Sequence, residues 1–130
     1  MSHFSKIKTN ITSLSILIKT IKQLGFNYRF SNCFNNLNFI SNVVVYKLSK
    51  YGNEDTVFTF IWNIKEYILL VDLDLWNLDI DFHYLFDHLL QQYAYNVVMS
   101  TSYISGFQKI KESSYCDGSI KLILQRWSNI

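Results

Sequence analysis

Two segments of the chain carry apolar residues at helical spacing. The first presents one apolar face, formed by Leu14, Leu17, Ile18, Ile21 and Leu24, which is the spacing of an amphipathic helix. Thr12 or Ser13 supplies its N-cap, and Gly25 follows as a residue suited to the left-handed conformation beyond a helix end. We therefore predict a helix that ends at Leu24 and closes in a Schellman turn, with Phe26 packed on Ile21.

The second helical segment begins at Phe82 and has the clearest pattern in the chain. Its apolar stripe consists of Phe82, Leu85, Phe86, Leu89, Leu90 and Tyr93, while polar residues fill the opposite arc. A stripe of this kind is expected to be buried. Residues 94–105 continue the helical spacing but are rich in β-branched side chains, so helix and strand both remain open there.

Shorter segments with strand-like composition surround the helices. Five strands are predicted over residues 5–9, 27–30, 43–49, 56–64 and 67–73, with an Asn-rich loop over residues 31–41. A hairpin over residues 107–113 and 119–127 closes the chain, and the Asp117-Gly118 pair favours its tight turn. These elements predict a single α+β domain over residues 1–130, with an antiparallel sheet and helices packed mainly on one face.

The amino-acid composition says more about the cellular compartment of the protein than about its function. The net charge of +2 is too small to indicate nucleic acid or membrane as a partner. Cys33 and Cys116 lie far apart in the chain, and we favour free thiols in a reducing compartment over a disulfide between them. Frequent Ile, Asn, Lys, Phe and Tyr, with scarce Gly, Ala, Arg and Pro, favour a gene with AT-rich codons, as in organelle genomes.

The stretch VDLDLWNLDIDFH, from Val71 to His83, concentrates four aspartates and a histidine. Asp72 and Asp74 are two apart at the end of a predicted strand, where they are expected to share a face. Asp79 and Asp81 precede a helix, where carboxylates cap free N–H groups. A calcium loop requires a glycine at its sixth position and a glutamate at its twelfth, and the stretch has neither. We interpret these carboxylates as helix caps and strand-end polarity, and predict no metal and no cofactor.

No arrangement typical of an enzyme occurs in the sequence. There is no G-x-S-x-G frame for a nucleophile, and the glycines stand singly instead of forming a phosphate-binding loop. Lysines alternate along several predicted strands, at Lys6, Lys8, Lys109, Lys111 and Lys121. Such a strip beside aromatic residues suits single-stranded nucleic acid, although lysines on edge strands more commonly prevent sheet-to-sheet pairing.

Several short motifs resemble one known family over nearly the whole chain. They are MSHFS at residues 1–5, DLW at 74–76, YAY at 93–95, GF at 106–107, and the DGSIKLILQRW segment at 117–127. The family is a hypothetical chloroplast reading frame (ycf-type, number thirty-five) of algal plastids and cyanobacteria. The resemblance implies a plastid location, which agrees with an N-terminus that lacks the pattern of a signal or transit peptide. It transfers no catalytic or binding residue.

These observations favour a non-enzymatic accessory or adaptor protein of the plastid stroma that acts through protein–protein contacts or self-association. The predicted fourth and fifth strands are apolar on both faces, so a sheet covered by helices on one face leaves a second apolar face for a partner. The alternative is a small nucleic-acid-associated protein that uses the lysine strip. No apolar run reaches the roughly 18 residues of a membrane span.

The candidate binding residues are Asp74, Trp76, Arg126 and Trp127. Both tryptophans lie at predicted strand ends, and the two rings would flank one end of the sheet if the fifth strand and the closing strand were neighbours. Tryptophan and arginine dominate binding hot spots, whereas a buried indole that merely plugs the core usually finds a partner for its N–H. Partly exposed rings around one concavity would favour binding over a plug.

Overall fold

The computed structural model describes residues 4–31, 42–104, 107–114 and 119–126. The strands are β1 (Phe4–Ile11), β2 (Asn27–Ser31), β3 (Asn42–Leu48), β4 (Glu54–Asn63), β5 (Glu66–Asp72), β6 (Phe107–Ser114) and β7 (Ile120–Arg126). The helices are α1 (Leu14–Gln23) and α2 (Phe82–Ile104), and a single 3-10 turn (Leu73–Leu75) lies between β5 and α2.

Five of the strands form an antiparallel sheet in the order β1-β5-β4-β3-β2. The strands β2 to β5 follow one another as a meander, and β5 then pairs with β1. Alternation of direction makes β1 and β2 parallel at opposite edges, so the chain between them must cross the sheet. The helix α1 makes that crossing, which places it on one face.

The core lies between that face and both helices. Cross-strand pairs such as Val43 with Phe60 and Phe60 with Leu69 point into it, and these side chains are fully buried. From α2, the predicted stripe contributes Phe82, Leu85, Leu89 and Tyr93 as buried residues, with Phe86 and Leu90 packed against them. The predicted α+β class, with an antiparallel sheet and helices on one face, is confirmed.

Both ends of α1 follow the local signals in the sequence. The Ser13 side chain accepts a hydrogen bond from the Ile16 N–H, as an N-cap does. Beyond the helix, Gly25 has φ +86°, its N–H bonds to the Lys22 carbonyl, and the Phe26 N–H bonds to the Ile21 carbonyl. These two bonds define the predicted Schellman turn.

Residues 94–104, left open by the sequence, complete α2 as one continuous helix. Contact with α1 explains the outcome, because buried Asn96 donates to Thr20 Oγ1 at 3.0 Å and to Gln23 Oε1 at 2.8 Å. The hydroxyl of Tyr93 accepts from the backbone N–H groups that precede α1. Tertiary contacts of this kind outweigh the weak helical preference of β-branched residues.

The closing hairpin differs from the arrangement on which the site prediction depended. Strands β6 and β7 pair with each other in a separate two-stranded sheet, and the neighbours of β5 are β1 and β4. The fifth strand and the closing strand are therefore not side by side. The predictions for Cys33, Cys116, the hairpin turn, Trp127 and nearly all of the Asn-rich loop fall outside the described residues.

Candidate docking site at the end of strand β5

The aspartate-rich segment forms the connection from β5 to α2. Asp72, the last residue of β5, accepts a hydrogen bond from the Asp74 N–H at 3.1 Å, and this bond starts the 3-10 turn. Asp81 accepts from the Tyr84 N–H at 3.2 Å and thereby caps α2. The predicted capping of α2 is confirmed for Asp81, whereas the cap by Asp72 was not predicted and Asp79 is exposed before the helix. Asp74 lies in the turn and does not share a strand face with Asp72.

No group of three or more metal-ligating side chains occurs within the part of the chain that the structure describes. The carboxylate oxygens of Asp72 and Asp81 that accept these bonds are engaged by backbone N–H groups. Asp72 thus caps the 3-10 turn that follows β5, and Asp81 caps the start of α2.

Trp76 anchors this connection to the helix that follows. Its indole N–H donates to the Ile80 carbonyl at 2.9 Å, and its ring meets the Phe82 ring edge-on with centroids 5.4 Å apart. The side chain is nevertheless only half-buried. The indole thus has the partner expected for its N–H, while part of the ring stays accessible.

The accessible part of Trp76 faces a cavity of about 380 Å³, which we call the Trp76 pocket. Its lining comes from β1, β4, β5 and the connection after β5, namely Phe4, Thr56, Val57, Phe58, Thr59, Leu70, Val71, Asp72, Leu75, Trp76, Asn77 and Leu78. A cavity of this size accommodates one or two side chains of a partner.

Large apolar side chains lie exposed around the pocket. Phe4 is 57% exposed, Leu75 is 74% exposed, and Leu73 in the same turn is 41% exposed. The pocket also adjoins the face of the sheet opposite the helices, where Ile61, Ile68 and Leu70 are half-buried. Contiguous exposed apolar surface that surrounds a concavity is typical of a docking site.

Two of the four residues predicted to form the site lie at the pocket or beside it. Trp76 lines the pocket, and Asp74 is exposed in the adjacent turn. Arg126 ends β7, in the other sheet, and Trp127 lies outside the described residues. Sequence reasoning missed Asp72, Phe4 and Leu75, although the alternation of leucine and aspartate in DLDLW, residues 72–76, was a signal of exposed leucines.

The lysines proposed as one basic strip belong to two sheets. Lys6 and Lys8 lie on β1, an edge of the five-stranded sheet, whereas Lys109, Lys111 and Lys121 lie on the β6–β7 hairpin. Lys8 forms an ion pair with Glu66 at 3.9 Å. Their position on an edge strand gives Lys6 and Lys8 the protective role that such lysines commonly have.

At the opposite end of β5, Tyr67 is buried in the core. Burial raises the pKa of its phenol above the ordinary value of 10.0. Its hydroxyl is buried and has no hydrogen-bond partner among the described residues. Its ring lies edge-on to Trp62 with centroids 4.9 Å apart, so this end of the sheet is closed by aromatic packing.

Comparison with known proteins assigns the sequence of this chain to a family. The family model described as protein of unknown function (DUF1257) matches residues 20–123. The uncharacterized protein ycf35 of Pyropia yezoensis is 35% identical over 128 residues, covering 98% of this chain and 99% of that protein. The proteins of the same name from Guillardia theta and Cyanophora paradoxa are 31% and 30% identical, each over 98% of both chains. The chain belongs to this family.

The family confirms the resemblance seen in the sequence. Its relatives are products of plastid reading frames, which indicates the plastid as the location. No solved structure matches the chain. Within the described residues, no helix combines the length and apolar character needed to cross a membrane.

Proposed function

We propose that this protein is a non-enzymatic accessory or adaptor protein of the plastid stroma, and that it binds a partner protein at the Trp76 pocket. The observation that carries the proposal is the exposed apolar rim around the pocket. Leu75 and Phe4 are mostly exposed there, beside a cavity large enough for a partner's side chains. Burial of this surface would stabilise a complex by about 25 cal/mol per Å² of apolar area, before the costs of association.

Trp76 suits a central position in such an interface. Its ring is held by the bond to Ile80 and the contact with Phe82, so little side-chain entropy remains to be lost on binding. Aromatic residues fixed in this way, next to a pocket, are common among binding hot spots.

The nucleic-acid alternative has less support from the geometry. Its lysines are divided between two sheets, and the connection that forms the pocket rim carries Asp72, Asp74, Asp79 and Asp81 without a lysine or arginine. Phosphate binding requires several cations on one surface.

The proposal is tested with a tagged full-length protein and two matched variants, Leu75→Ser at the pocket and Leu48→Ser on β3. Leu48 is also exposed, at 53%, and does not line the pocket. A partner captured from stromal extract is identified, purified and titrated against each variant. We expect Leu75→Ser to weaken that complex at least fivefold, which corresponds to about 1 kcal/mol, and Leu48→Ser to leave it unchanged.

Size-exclusion chromatography with light scattering distinguishes a heterologous partner from self-association. A monomer that retains no stromal protein would remove the proposal. Equal losses with Leu75→Ser and Leu48→Ser would also remove it, because they would show that the pocket has no special part in binding.

A further inference from the structure

We propose that the Trp76 pocket receives a lysine or arginine side chain of the partner protein, with its charge beside Asp72 and its apolar stem along Leu70 and Trp76. The inference rests on the proposed function, since it specifies which chemistry of a partner the pocket recognises. Three independent features of the molecule support it. They are the Asp72 oxygen that lacks a hydrogen-bond partner, the apolar and aromatic composition of the pocket walls, and the negative charge of the segment that builds them.

Asp72 is the charged residue among those that line the pocket. One carboxylate oxygen accepts from the Asp74 N–H, and the other is buried without a hydrogen-bond partner among the described residues. The ion pairs found in the described part of the chain join Lys8 to Glu66 and Arg29 to Glu54, so no cation there neutralises Asp72. A buried carboxylate whose second oxygen lacks a hydrogen bond gains strongly from a cationic donor.

The geometry of the carboxylate allows such a donor to reach it. A carboxylate offers about four lone-pair sites on its two oxygens, and the Asp74 N–H uses one of them. A cationic donor in the pocket can therefore bind Asp72 without breaking the bond to the Asp74 N–H.

The remaining walls match the stem of a basic side chain better than a small polar ligand. Leu70, Leu75 and Leu78 provide apolar surface, and Phe4 and Trp76 provide aromatic rings. Lysine and arginine bury long methylene stems along apolar surface while the charged end finds polar partners. Their cations are also attracted to the faces of aromatic rings.

The charge distribution along the chain favours the same partner. Residues 66–108 contain no lysine or arginine and six carboxylates, at Glu66, Asp72, Asp74, Asp79, Asp81 and Asp87. The rest of the chain contains all 12 basic residues and the other four of the 10 acidic ones. The segment that provides β5 and the pocket rim is thus strongly acidic in a chain of net charge +2, and its field attracts a basic surface.

Lys6 is the nearest cation by sheet register, because it lies opposite Leu70 on β1. It is exposed and forms no ion pair with Asp72. The positive charge of Lys6 thus weakens the negative electrostatic potential at the pocket, but Lys6 does not form an ion pair with Asp72.

The test uses blocked pentapeptides of the form Gly-Leu-X-Leu-Gly, in which X is lysine, arginine, norleucine or glutamate. Norleucine matches the stem of lysine without its charge. Each peptide is titrated into the full-length protein, and the NMR signal of the Trp76 indole N–H reports binding. We expect the two basic peptides to bind about tenfold more tightly than the norleucine peptide, and the glutamate peptide to bind most weakly.

Two charge-matched variants locate the effect. Asp72→Asn keeps an oxygen that can accept from the Asp74 N–H, so the turn is preserved while the charge is lost. Asp87→Asn removes the same charge from an exposed position on α2 that does not line the pocket. We expect Asp72→Asn to abolish the tenfold preference for the basic peptides, and Asp87→Asn to change it by less than twofold.

Failure of this inference is distinguishable from failure of the proposed function. If the norleucine peptide binds as tightly as the lysine peptide, or if no basic peptide binds, the pocket does not select a cation. Equal effects of Asp72→Asn and Asp87→Asn would also overturn it in favour of a diffuse field. In each case a partner complex that still requires Leu75 leaves the proposed function standing, whereas indifference to Leu75→Ser removes the proposed function itself.

Discussion

At each end of β5, two aromatic rings meet edge to face, but only one end is closed. Near its start, Tyr67 and Trp62 have centroids 4.9 Å apart, and Tyr67 is 1% exposed. Beyond its end, Trp76 and Phe82 have centroids 5.4 Å apart, and Trp76 borders a cavity.

The connections explain the difference between the two ends. A tight turn at Ile64 brings β4 directly back into β5, so neighbouring strands supply both aromatic rings. At the other end, residues 73–81 run from the sheet to α2 through a 3-10 turn and two aspartate caps. The caps pair the Asp74 and Tyr84 N–H groups within the connection and the start of α2, so these groups need no partner from the strands beneath. Similar ring contacts therefore seal one end and border a pocket at the other.

The largest expected effect is the contrast between two aromatic-to-alanine substitutions. Tyr67→Ala leaves a cavity in the core and is expected to lower the free energy of unfolding by about 3–5 kcal/mol. Trp76→Ala removes a half-exposed ring and is expected to lower it by about 2 kcal/mol or less. Urea unfolding of both variants measures the contrast. Equal losses would show that Trp76 closes its end as firmly as Tyr67 does.

Removal of the Tyr67 hydroxyl tests how much its unpaired oxygen costs the closed end in stability. Tyr67→Phe deletes a buried oxygen that lacks a partner, and we expect it to raise the free energy of unfolding by about 1–2 kcal/mol. Tyr51→Phe is the control, since Tyr51 is 91% exposed and its substitution is expected to have no effect.

The same two variants test how the free energy of unfolding depends on pH in the alkaline range. Because burial raises the pKa of Tyr67 in the folded state, the folded state holds its proton more tightly than the unfolded state does. The associated stability is complete below the ordinary value of 10.0 and is lost as the pH rises through the folded pKa. Denaturation between pH 8 and 11 is expected to show this loss in wild type and in Tyr51→Phe, but a smaller loss in Tyr67→Phe. Identical pH profiles would contradict the assignment to Tyr67.

The caps of the open end are tested by Asp81→Ala, which removes the hydrogen bond to the Tyr84 N–H. Loss of an N-cap is expected to lower the free energy of unfolding by about 1 kcal/mol. Asp79→Ala is the control, because Asp79 is exposed and lies just before the cap. Urea unfolding gives the total loss, and hydrogen exchange at the Tyr84 amide gives its location. A similar loss with Asp79→Ala would point to a general charge effect.

The smallest expected effect concerns the tight turn at the closed end. Ile64 has φ +59° and is 80% exposed, and a β-branched residue is strained in the left-handed region. Relief of that strain in Ile64→Gly is partly offset by the greater chain entropy of glycine, so we expect a net gain of about 0.5 kcal/mol. Lys65→Gly lacks this relief and is expected to destabilise. If both variants destabilise equally, the Ile64 conformation is not strained in solution.

Features that depend on neighbours in sequence were predictable from the sequence alone. The cap at Ser13, the Schellman turn at Gly25 and the buried stripe from Phe82 to Tyr93 each involve residues within a few positions or turns of one another. Their backbone hydrogen bonds and their periodicity depend only on residue types at fixed short spacings. The α+β class followed from the same local patterns, and the family resemblance came from short motifs along the chain.

The partners of each element were decided by tertiary structure. Sequence patterns showed that residues 94–104 were apolar at helical spacing, but the pairing of Asn96 with Thr20 and Gln23 made them a helix. Likewise, β1 paired with β5 and left the closing hairpin in another sheet, so Trp76 and Arg126 do not lie at the ends of neighbouring strands.

The Trp76 pocket itself belongs to the tertiary structure. Its walls bring Phe4 of β1 and Thr59 of β4 beside Leu70 of β5 and the Trp76 connection, and only strand order makes these segments neighbours. The sequence determined that a capped, aspartate-rich connection follows β5. Whether that connection sealed the core or left a cavity depended on long-range pairing, because the space under a connection is defined by the strands around it and not by its own residues.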